Sequence, residues 1–283
     1  MPSSLLTYLR TALLLTGFFL LAACLPAPPP PTEPAPMPTR TPTPSPTWWR
    51  PQPGLRWQWQ LSGKLNLDLQ VDAIDIDLQV GKSVVDYYHG QGTKVICYIS
   101  VGSYENWRPD ADQFPPEVIG KDYEGWSGEK WLDIRRIDLL APIMLTRLDL
   151  CAEKGFDAVE PDNMDIHQED TGFPLTYEDQ LRYVQWLAEE AHQRGLAIGQ
   201  KNAPDMTRDL VNVLDFAILE DAFCYGWAQE LKPYTDAGKA VFDAEYTDLP
   251  GDFQKACRES QKLRFSTILK HRNLDAWVQF CEE

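Results

Sequence analysis

The sequence RIDLLAPIMLTRLDLCAEKGFDAVE, residues 136–160, pairs a helix with the strand that follows it. Over 136–154 apolar residues recur with the spacing of one helix face. This face consists of Ile137, Leu140, Met144, Leu148 and Cys151. Gly155 is a typical residue just after a helix end, because glycine adopts the left-handed conformation there at little cost. The short run at 157–160 then predicts a strand that is buried on both faces.

The same pairing recurs from residue 54 onward. A second helix is predicted at 177–194, where Thr176 and Asp179 form a capping box. Eight short strands are predicted, at 57–61, 74–78, 95–99, 157–160, 196–200, 215–219, 240–245 and 264–269. Strands and helices that alternate in this way predict an α/β protein with a (β/α)8 TIM-barrel fold. The segment 100–135 is predicted mostly as loop.

Polar residues cluster at the ends of the predicted strands, where such barrels carry their chemistry. They are Asp75, Asp77, Tyr98, Ser100, Glu160, Asp162, Lys201, Asn202, Glu220, Asp221, Asp243, Glu245 and Lys270. A single acid at a strand end is often only a helix cap, but several carboxylates that face one pocket favour a catalytic site. Paired carboxylates suit glycoside cleavage, which needs an acid at the leaving oxygen and a base or nucleophile at the anomeric carbon. Aromatic residues of the predicted loops, Trp126 among them, suit stacking on sugar rings or simple packing.

The charge of the chain limits its partners. The sequence has 42 Asp and Glu residues against 26 Lys and Arg residues, a net charge of −16. Such an acidic surface repels phosphate backbones, which argues against nucleic acid as a partner. It suits a cationic or neutral polysaccharide, although the solubility of an exported protein explains it equally well. We expect a monomer.

Residues 1–23 have the features of a bacterial export signal, a charged start followed by an apolar stretch. The sequence LAAC at 21–24 resembles a lipobox, in which the signal is cut before the cysteine and Cys24 is lipidated. An ordinary signal peptide is the alternative. Residues 24–53 hold 13 of the 23 prolines and predict an extended linker. The sequence therefore predicts a barrel domain at 54–283, anchored by lipid to a membrane of the bacterial cell envelope and facing outside the cytoplasm.

The remaining five cysteines would lie in an oxidising compartment. We expect Cys257 to pair with Cys281, because a bridge there would hold the C-terminus on the fold. Because five is an odd number, at least one of these cysteines keeps a free thiol. No two cysteines have the C-x-x-C spacing of a zinc site, and none of the four histidines is spaced as a ligand pair. The sequence therefore predicts no metal and no cofactor.

Nine motifs are distributed over residues 55–281. They are WQWQLSG (57–63), DIDL (75–78), VICYISVGSYENWRPDA (95–111), GEKWLDIR (128–135), KGFDAVEPDNMD (154–165), TGFPLTYEDQ (171–180), GQKN (199–202), FAILE (216–220) and FSTILKHRNLDAW (265–277). In this order they resemble glycoside-hydrolase family 114. The resemblance implies a (β/α)8 barrel with the activity of an extracellular endo-α-1,4-polygalactosaminidase, whose substrate is an α-1,4-linked galactosamine polymer, a polycation.

By this resemblance, the catalytic Asp of the family's Asp-Pro-Asp-Asn motif falls on Asp162, and its catalytic Glu at the end of the sixth strand falls on Glu220. We assign Asp162 as the nucleophile of a retaining mechanism and Glu220 as the acid/base. A separation of the two carboxyl groups of about 6.5–9.5 Å would instead mean inversion and would contradict the nucleophile assignment. Lys201 and Asn163 are expected to keep Asp162 ionised. The full set expected to bind substrate is Asp75, Asp77, Tyr98, Glu105, Trp126, Asn163, Lys201, Asn202 and Glu245. A structural role is the alternative for the four acids of that set, Asp75, Asp77, Glu105 and Glu245.

The sequence departs from the family pattern in two places. Glu160 stands where the family usually has Asp, which adds a methylene near a substrate contact. After Glu220, Ala222 stands where many members have Cys, so a loop disulfide there is expected to be missing. Two alternatives remain: a non-catalytic sugar-binding lipoprotein with the same fold, or a glycosidase acting on another α-linked or an N-acetylated glycan. The presence of both candidate acids favours the enzyme.

Overall fold

The computed structural model describes residues 47–282, and the elements are numbered within that range. Its strands are β1 (Trp57–Gln60), β2 (Ala73–Asp77), β3 (Lys94–Ser100), β4 (Ser103–Glu105), β5 (Ile119–Asp122), β6 (Glu129–Leu132), β7 (Ala158–Asp162), β8 (Ala197–Lys201), β9 (Phe216–Glu220), β10 (Val241–Tyr246), β11 (Ser266–Lys270) and β12 (Gln279–Phe280). Its helices are α1 (Lys82–Gly90), α2 (Ile137–Lys154), α3 (Tyr177–Gln193), α4 (Thr207–Leu210), α5 (Lys232–Asp236) and α6 (Phe253–Leu263). None of these helices is long and apolar enough to cross a membrane.

Eight parallel strands form a curled sheet in the order β1-β2-β3-β7-β8-β9-β10-β11, and β12 pairs antiparallel with β11. The curl brings β1 to β11, where the Trp57 indole N–H donates to the Ser266 carbonyl at 2.8 Å. The result is an α/β fold of the TIM-barrel-like type. All eight strands predicted from the sequence are present, each within two residues of its predicted bounds.

Helices α2 and α3 begin and end where the sequence rules place them. Gly155 follows α2 with a φ of 88°, a conformation that an L side chain would strain. At the start of α3, the Thr176 hydroxyl oxygen accepts from the Asp179 backbone N–H, and the Asp179 carboxylate accepts from the Thr176 backbone N–H, both at 3.1 Å. The capping box is therefore complete and fixes the first turn of α3.

The amino-terminal half of the barrel interior is packed with apolar side chains. Trp57, Ala73, Phe216 and Phe242 are all fully buried there in one cluster. Gly199 in β8 makes room for this packing, because a Cβ at that position would lie 2.6 Å from the Phe216 ring. Because these side chains fill the amino-terminal half of the interior, the open space inside the barrel lies at the carboxyl ends of its strands.

The segment 100–135, predicted mostly as loop, contains a second, smaller sheet. Strands β4, β6 and β5 pair antiparallel in that order, with Ser103 opposite Trp131 and Glu105 opposite Glu129. The prediction missed this sheet because each strand has only three or four residues and mixes charged with apolar side chains. The turn that joins β5 to β6 belongs to this sheet and contributes to the site described below.

Residues 48–51, assigned to the linker from the sequence, contact the barrel. The Trp48 indole N–H donates to Asp215 at 2.9 Å, and its ring stacks on His192 with the centroids 4.0 Å apart. The Ala240 backbone N–H donates to the Pro51 carbonyl at 3.0 Å. The ordered domain therefore extends at least six residues before position 54. Cys24, the export signal and the start of the linker lie outside the described residues.

Two disulfides are present in the described residues. Cys257 is bonded to Cys281, the pair that the sequence analysis selected, and Cys97 is bonded to Cys151, which it did not select. The second bridge joins β3 to α2 through two cysteines that are 54 residues apart, so only the folded arrangement brings them together. Cys224 is the free cysteine of the described part of the chain.

We expect the double variant Cys97→Ala/Cys151→Ala to unfold at a lower temperature than the wild type. The bridge spans 54 residues, and a loop of that size stabilises the fold by about 4 kcal/mol through the entropy of the unfolded chain. In a domain of this size that corresponds to a fall in Tm of roughly 8–16 °C, measurable by calorimetry. Cys224→Ala is the control and should leave Tm nearly unchanged. An unchanged Tm in the double variant would contradict a stabilising role for this bridge.

Candidate active site

A cavity of about 220 Å³ opens at the carboxyl ends of the parallel strands. The β5–β6 turn borders one side, and the loop after β11 borders another. Seven of the residues selected from the sequence line it: Tyr98, Trp126, Asp162, Asn163, Lys201, Asn202 and Glu220. This is the edge of the sheet where TIM barrels carry their active sites.

Lys201 lies at the centre of the site, at the end of β8, with only 3% of its side chain exposed. Its Nζ atom lies 2.6 Å from Asp162 Oδ1, 3.2 Å from Glu220 Oε2 and 3.0 Å from Glu160 Oε1. The ammonium group also lies over the Trp59 ring, 4.7 Å from its centroid. One buried cation therefore contacts both candidate catalytic acids.

Asp162 is held as a carboxylate. Burial alone would raise its pKa, but the charge of Lys201 and the hydrogen bonds from Lys201 and Tyr98 outweigh burial and lower it. The Tyr98 hydroxyl donates to Oδ2 at 2.8 Å. The next residue, Asn163, has a φ of 63° and donates its side-chain N–H to Ser100 Oγ at 3.1 Å. This bonded turn fixes the direction of the Asp162 side chain.

Glu220, at the end of β9, is held by three neighbours. Asn202 Nδ2 donates to its Oε2 at 3.1 Å, and the Tyr246 hydroxyl donates to its Oε1 at 2.7 Å. Lys201 supplies the third contact, at 3.2 Å. The Asn202 side-chain oxygen also accepts from the Glu220 backbone N–H at 3.0 Å, so the same residue orients both the backbone and the side chain. Glu220 keeps 28% of its side chain exposed, enough for a substrate to reach it.

The further residues that line the cavity include four ionisable ones that were not selected from the sequence: Glu129, Asp165, Tyr246 and Arg272. Burial raises the pKa of Glu129 to about 7 despite a hydrogen bond from Ser103. Burial, with the charge of Asp162, raises the pKa of Asp165 to about 6. Asp165 follows Asp162 in one motif, a spacing that could have identified it. Glu129 and Arg272 reach the cavity from β6 and from the loop after β11, and no local pattern marks them.

The structure does not place four of the predicted substrate-binding acids against the cavity. Asp75 is fully buried beneath it. Asp77 and Glu105 both pair with the Arg108 guanidinium, each at 2.7 Å. Glu245 accepts from two backbone N–H groups of the loop after β9, at 2.8 and 3.1 Å. Asp75 is therefore kept from the cavity by burial, and the other three carboxylates are already paired with groups of the protein.

A TIM-barrel-like fold that opens on two carboxylates around one lysine has the features of a glycoside-cleaving enzyme. The chain belongs to glycoside-hydrolase family GH114, whose family model matches residues 38–283. It is therefore a glycoside hydrolase by family membership.

The chain is also similar to solved and curated proteins. The chain is similar to Ega3 of Aspergillus fumigatus, solved in complex with galactosamine, with 38% sequence identity, a TM-score of 0.78 and coverage of 83% of this chain and 98% of that one. It shares its fold with the glycoside hydrolase domain of PelA from Pseudomonas aeruginosa, at 17% identity and a TM-score of 0.63, over 81% of this chain and 100% of that one. An uncharacterized protein of Deinococcus radiodurans is 23% identical over 210 residues, 66% of this chain and 67% of that protein.

Proposed function

We propose that this protein is an endo-acting hydrolase of α-1,4-linked galactosamine polymers. The observation that carries the proposal is the placement of Lys201 against both Asp162 and Glu220, at 2.6 and 3.2 Å, at the carboxyl ends of the barrel strands. The similarity to a fungal protein solved with galactosamine, at 38% identity, supports an amino sugar as the substrate unit.

In this proposal Asp162 is the nucleophile and Glu220 the acid/base. The lowered pKa of Asp162 keeps it ionised, so it can attack the anomeric carbon while Glu220 gives its proton to the leaving glycosidic oxygen. Glu220 then takes a proton from water, and that water displaces Asp162 from the sugar. Both products leave with the enzyme in its starting protonation state.

The separation of the two carboxylates supports retention of configuration. Asp162 Oδ1 and Glu220 Oε2 contact the same Lys201 nitrogen, at 2.6 and 3.2 Å. These two oxygens therefore lie within about 6 Å of each other, nearer to the roughly 5–5.5 Å of retaining enzymes than to the roughly 6.5–9.5 Å of inverting ones.

The charge of the cavity supports a cationic substrate. Its lining contains four carboxyl groups and two cationic side chains: Glu129, Asp162, Asp165, Glu220, Lys201 and Arg272. A sugar with a free ammonium group would favour the ionised form of these carboxyl groups and pair with them, whereas an N-acetylated sugar would not.

The test compares de-N-acetylated with N-acetylated α-1,4-galactosamine polymer at about 0.05 and 0.5 M salt, since salt screens exposed charges. We expect internal cleavage of the de-N-acetylated polymer and a loss of rate at high salt. Faster cleavage of the N-acetylated polymer, with little salt effect, would support the alternative substrate. Polymer binding without cleavage would support the sugar-binding alternative.

Trp126 is expected to bind a sugar unit beside the reacting one. It is 50% exposed, and it lines both the central cavity and an adjoining open one along the β5–β6 turn. We expect Trp126→Ala to raise KM for the polymer by about tenfold with little change in kcat, because stacking contributes mainly to binding. Trp107→Ala is the matched control, since Trp107 is 54% exposed but does not line the cavity. Equal KM values in the two variants would contradict this role.

We also propose that the enzyme is exported and held at the cell envelope through Cys24. The apolar stretch followed by LAAC at 21–24 supports this proposal. Metabolic labelling with a fatty acid in a bacterial host tests it. We expect label on the wild-type chain and none on Cys24→Ala. Equal labelling of both chains would contradict the anchor.

A further inference from the structure

Two acidic side chains lie inside the barrel directly beneath Lys201. Asp75 on β2 and Glu160 on β7 are both fully buried. Neither carboxyl oxygen of Asp75 has a hydrogen-bond donor in the described part of the chain, and the polar group it contacts is the Glu160 carboxyl. Glu160 in turn lies 3.0 Å from Lys201 Nζ. Substrate in the cavity does not reach either side chain.

Two buried carboxyl groups in contact cannot both be ionised without a large cost, so the pair holds a proton. Burial raises the pKa of Glu160 to about 7, but the facing Lys201 ammonium favours its charged form, so Glu160 loses its proton at lower pH than Asp75 does. Asp75 has no such partner at hydrogen-bonding distance, so the proton belongs on Asp75. Burial, followed by the charge of Glu160, raises the pKa of Asp75 well above its usual range. The other titratable groups that face the pair are Tyr98, Asp162 and Lys201.

We propose that protonated Asp75 donates a hydrogen bond to the Glu160 carboxylate, and that Glu160 thereby positions the Lys201 ammonium between Asp162 and Glu220. Asp75 and Glu160 are positioning residues, because neither touches the substrate. The effect of this pair on catalysis rests on the proposed function. The protonation of Asp75 is independent of it. The long Glu160 side chain is what brings its Oε1 to Lys201.

Kinetics on the galactosamine polymer test the positioning role. Asp75→Asn keeps a neutral donor to Glu160, so we expect kcat within about threefold of the wild type and an unchanged KM. Asp75→Ala removes the donor and Glu160→Gln removes the anion, and each should lower kcat by about tenfold or more at constant KM. The loss of kcat in Glu160→Gln should become smaller as the pH falls below about 7, because burial raises the pKa of Glu160 to about 7 and the wild-type side chain then also becomes neutral.

Asp243→Ala is the matched control for losing a buried carboxyl. Asp243 is also fully buried and without a hydrogen-bond partner in the described residues. It lies on β10, and the charges that act on it are Glu245 and Asp221 rather than Lys201. We expect Asp243→Ala to leave kcat and its dependence on pH unchanged. A loss of kcat in Asp75→Asn as large as in Asp75→Ala would overturn the proposal, because Asp75 would then be needed as an anion.

Thermal unfolding tests the protonation of Asp75 without any activity. A carboxyl whose pKa is raised by folding costs stability as pH rises above its unfolded pKa of about 4, until the pH reaches its folded pKa. Asp75→Asn removes that cost. The difference in Tm between Asp75→Asn and the wild type should therefore grow between pH 4 and pH 8, by roughly 3–5 °C for each unit by which the pKa is raised. A difference that stays constant with pH would overturn the inference, whether or not the wild type cleaves the polymer.

Discussion

Asp162→Asn is expected to lower the rate of polymer cleavage by at least about a thousandfold, because it removes the nucleophile of the first step. The change keeps the shape of the side chain and its hydrogen bond with the Tyr98 hydroxyl, so the fold should survive. The rate is measured by the release of reducing ends from the polymer. Tm and polymer affinity are measured on the same protein. A variant that is folded, binds the polymer and retains more than about a tenth of wild-type activity would contradict the assignment.

Glu220→Gln is the companion variant and distinguishes the two roles. It should lose roughly a hundredfold to ten-thousandfold in rate on the polymer, whose leaving group needs a proton. An α-linked galactosamine oligomer with a nitrophenyl leaving group needs no such proton. We therefore expect Glu220→Gln to release nitrophenol in a burst, and azide to restore turnover by attacking the covalent intermediate. Asp162→Asn should show neither effect. The reverse pattern would exchange the two roles.

Lys201→Met is expected to affect both activity and stability. It leaves Asp162 and Glu160 buried without their cation, which costs about 3 kcal/mol of folding free energy. It also removes the group that lowers the pKa of Asp162, so burial then raises that pKa. An acid with a raised pKa is protonated over a wider range, so the acid limb of the pH–rate profile should move to higher pH. The pH–rate profile and denaturant unfolding measure the two effects.

Lys270→Met is the matched control for losing a buried lysine. Lys270 is fully buried, and its Nζ atom donates to Gln58 at 2.9 Å and to two backbone carbonyls of the loop after β11. Burial lowers its pKa to about 8, and it makes no ion pair with Asp162. Its loss should destabilise the fold but leave the acid limb in place. An acid limb that moves equally in both lysine variants would contradict the direct action of Lys201 on Asp162.

The sequence was sufficient for the features that depend on local patterns. Short apolar runs located all eight parallel strands, and the Thr176–Asp179 capping box and Gly155 located the bounds of two helices. Lys201 and the two candidate acids could be selected because each stands at the end of a predicted strand. Since the carboxyl ends of parallel strands share one edge, their meeting follows from the fold.

Features that depend on distant parts of the chain could not be predicted. Asp77 is paired with Arg108 only because the segment between β3 and α2 folds back over the barrel. The small sheet in that segment brings Glu129 to the cavity, and its short strands have no periodic pattern. The Cys97–Cys151 bridge likewise requires α2 to pack on β3. In each case a residue's partner is set by tertiary contacts, and its own neighbours in sequence do not indicate it.

The most direct test is the release of reducing ends from de-N-acetylated α-1,4-galactosamine polymer by the purified protein, beside Asp162→Asn and Glu220→Gln. Internal cuts by the wild type, seen as a rapid fall in polymer length, together with their loss in both folded variants, are the predicted result. A wild type that binds the polymer and leaves its length unchanged would contradict the proposed activity and support a sugar-binding role on the same fold.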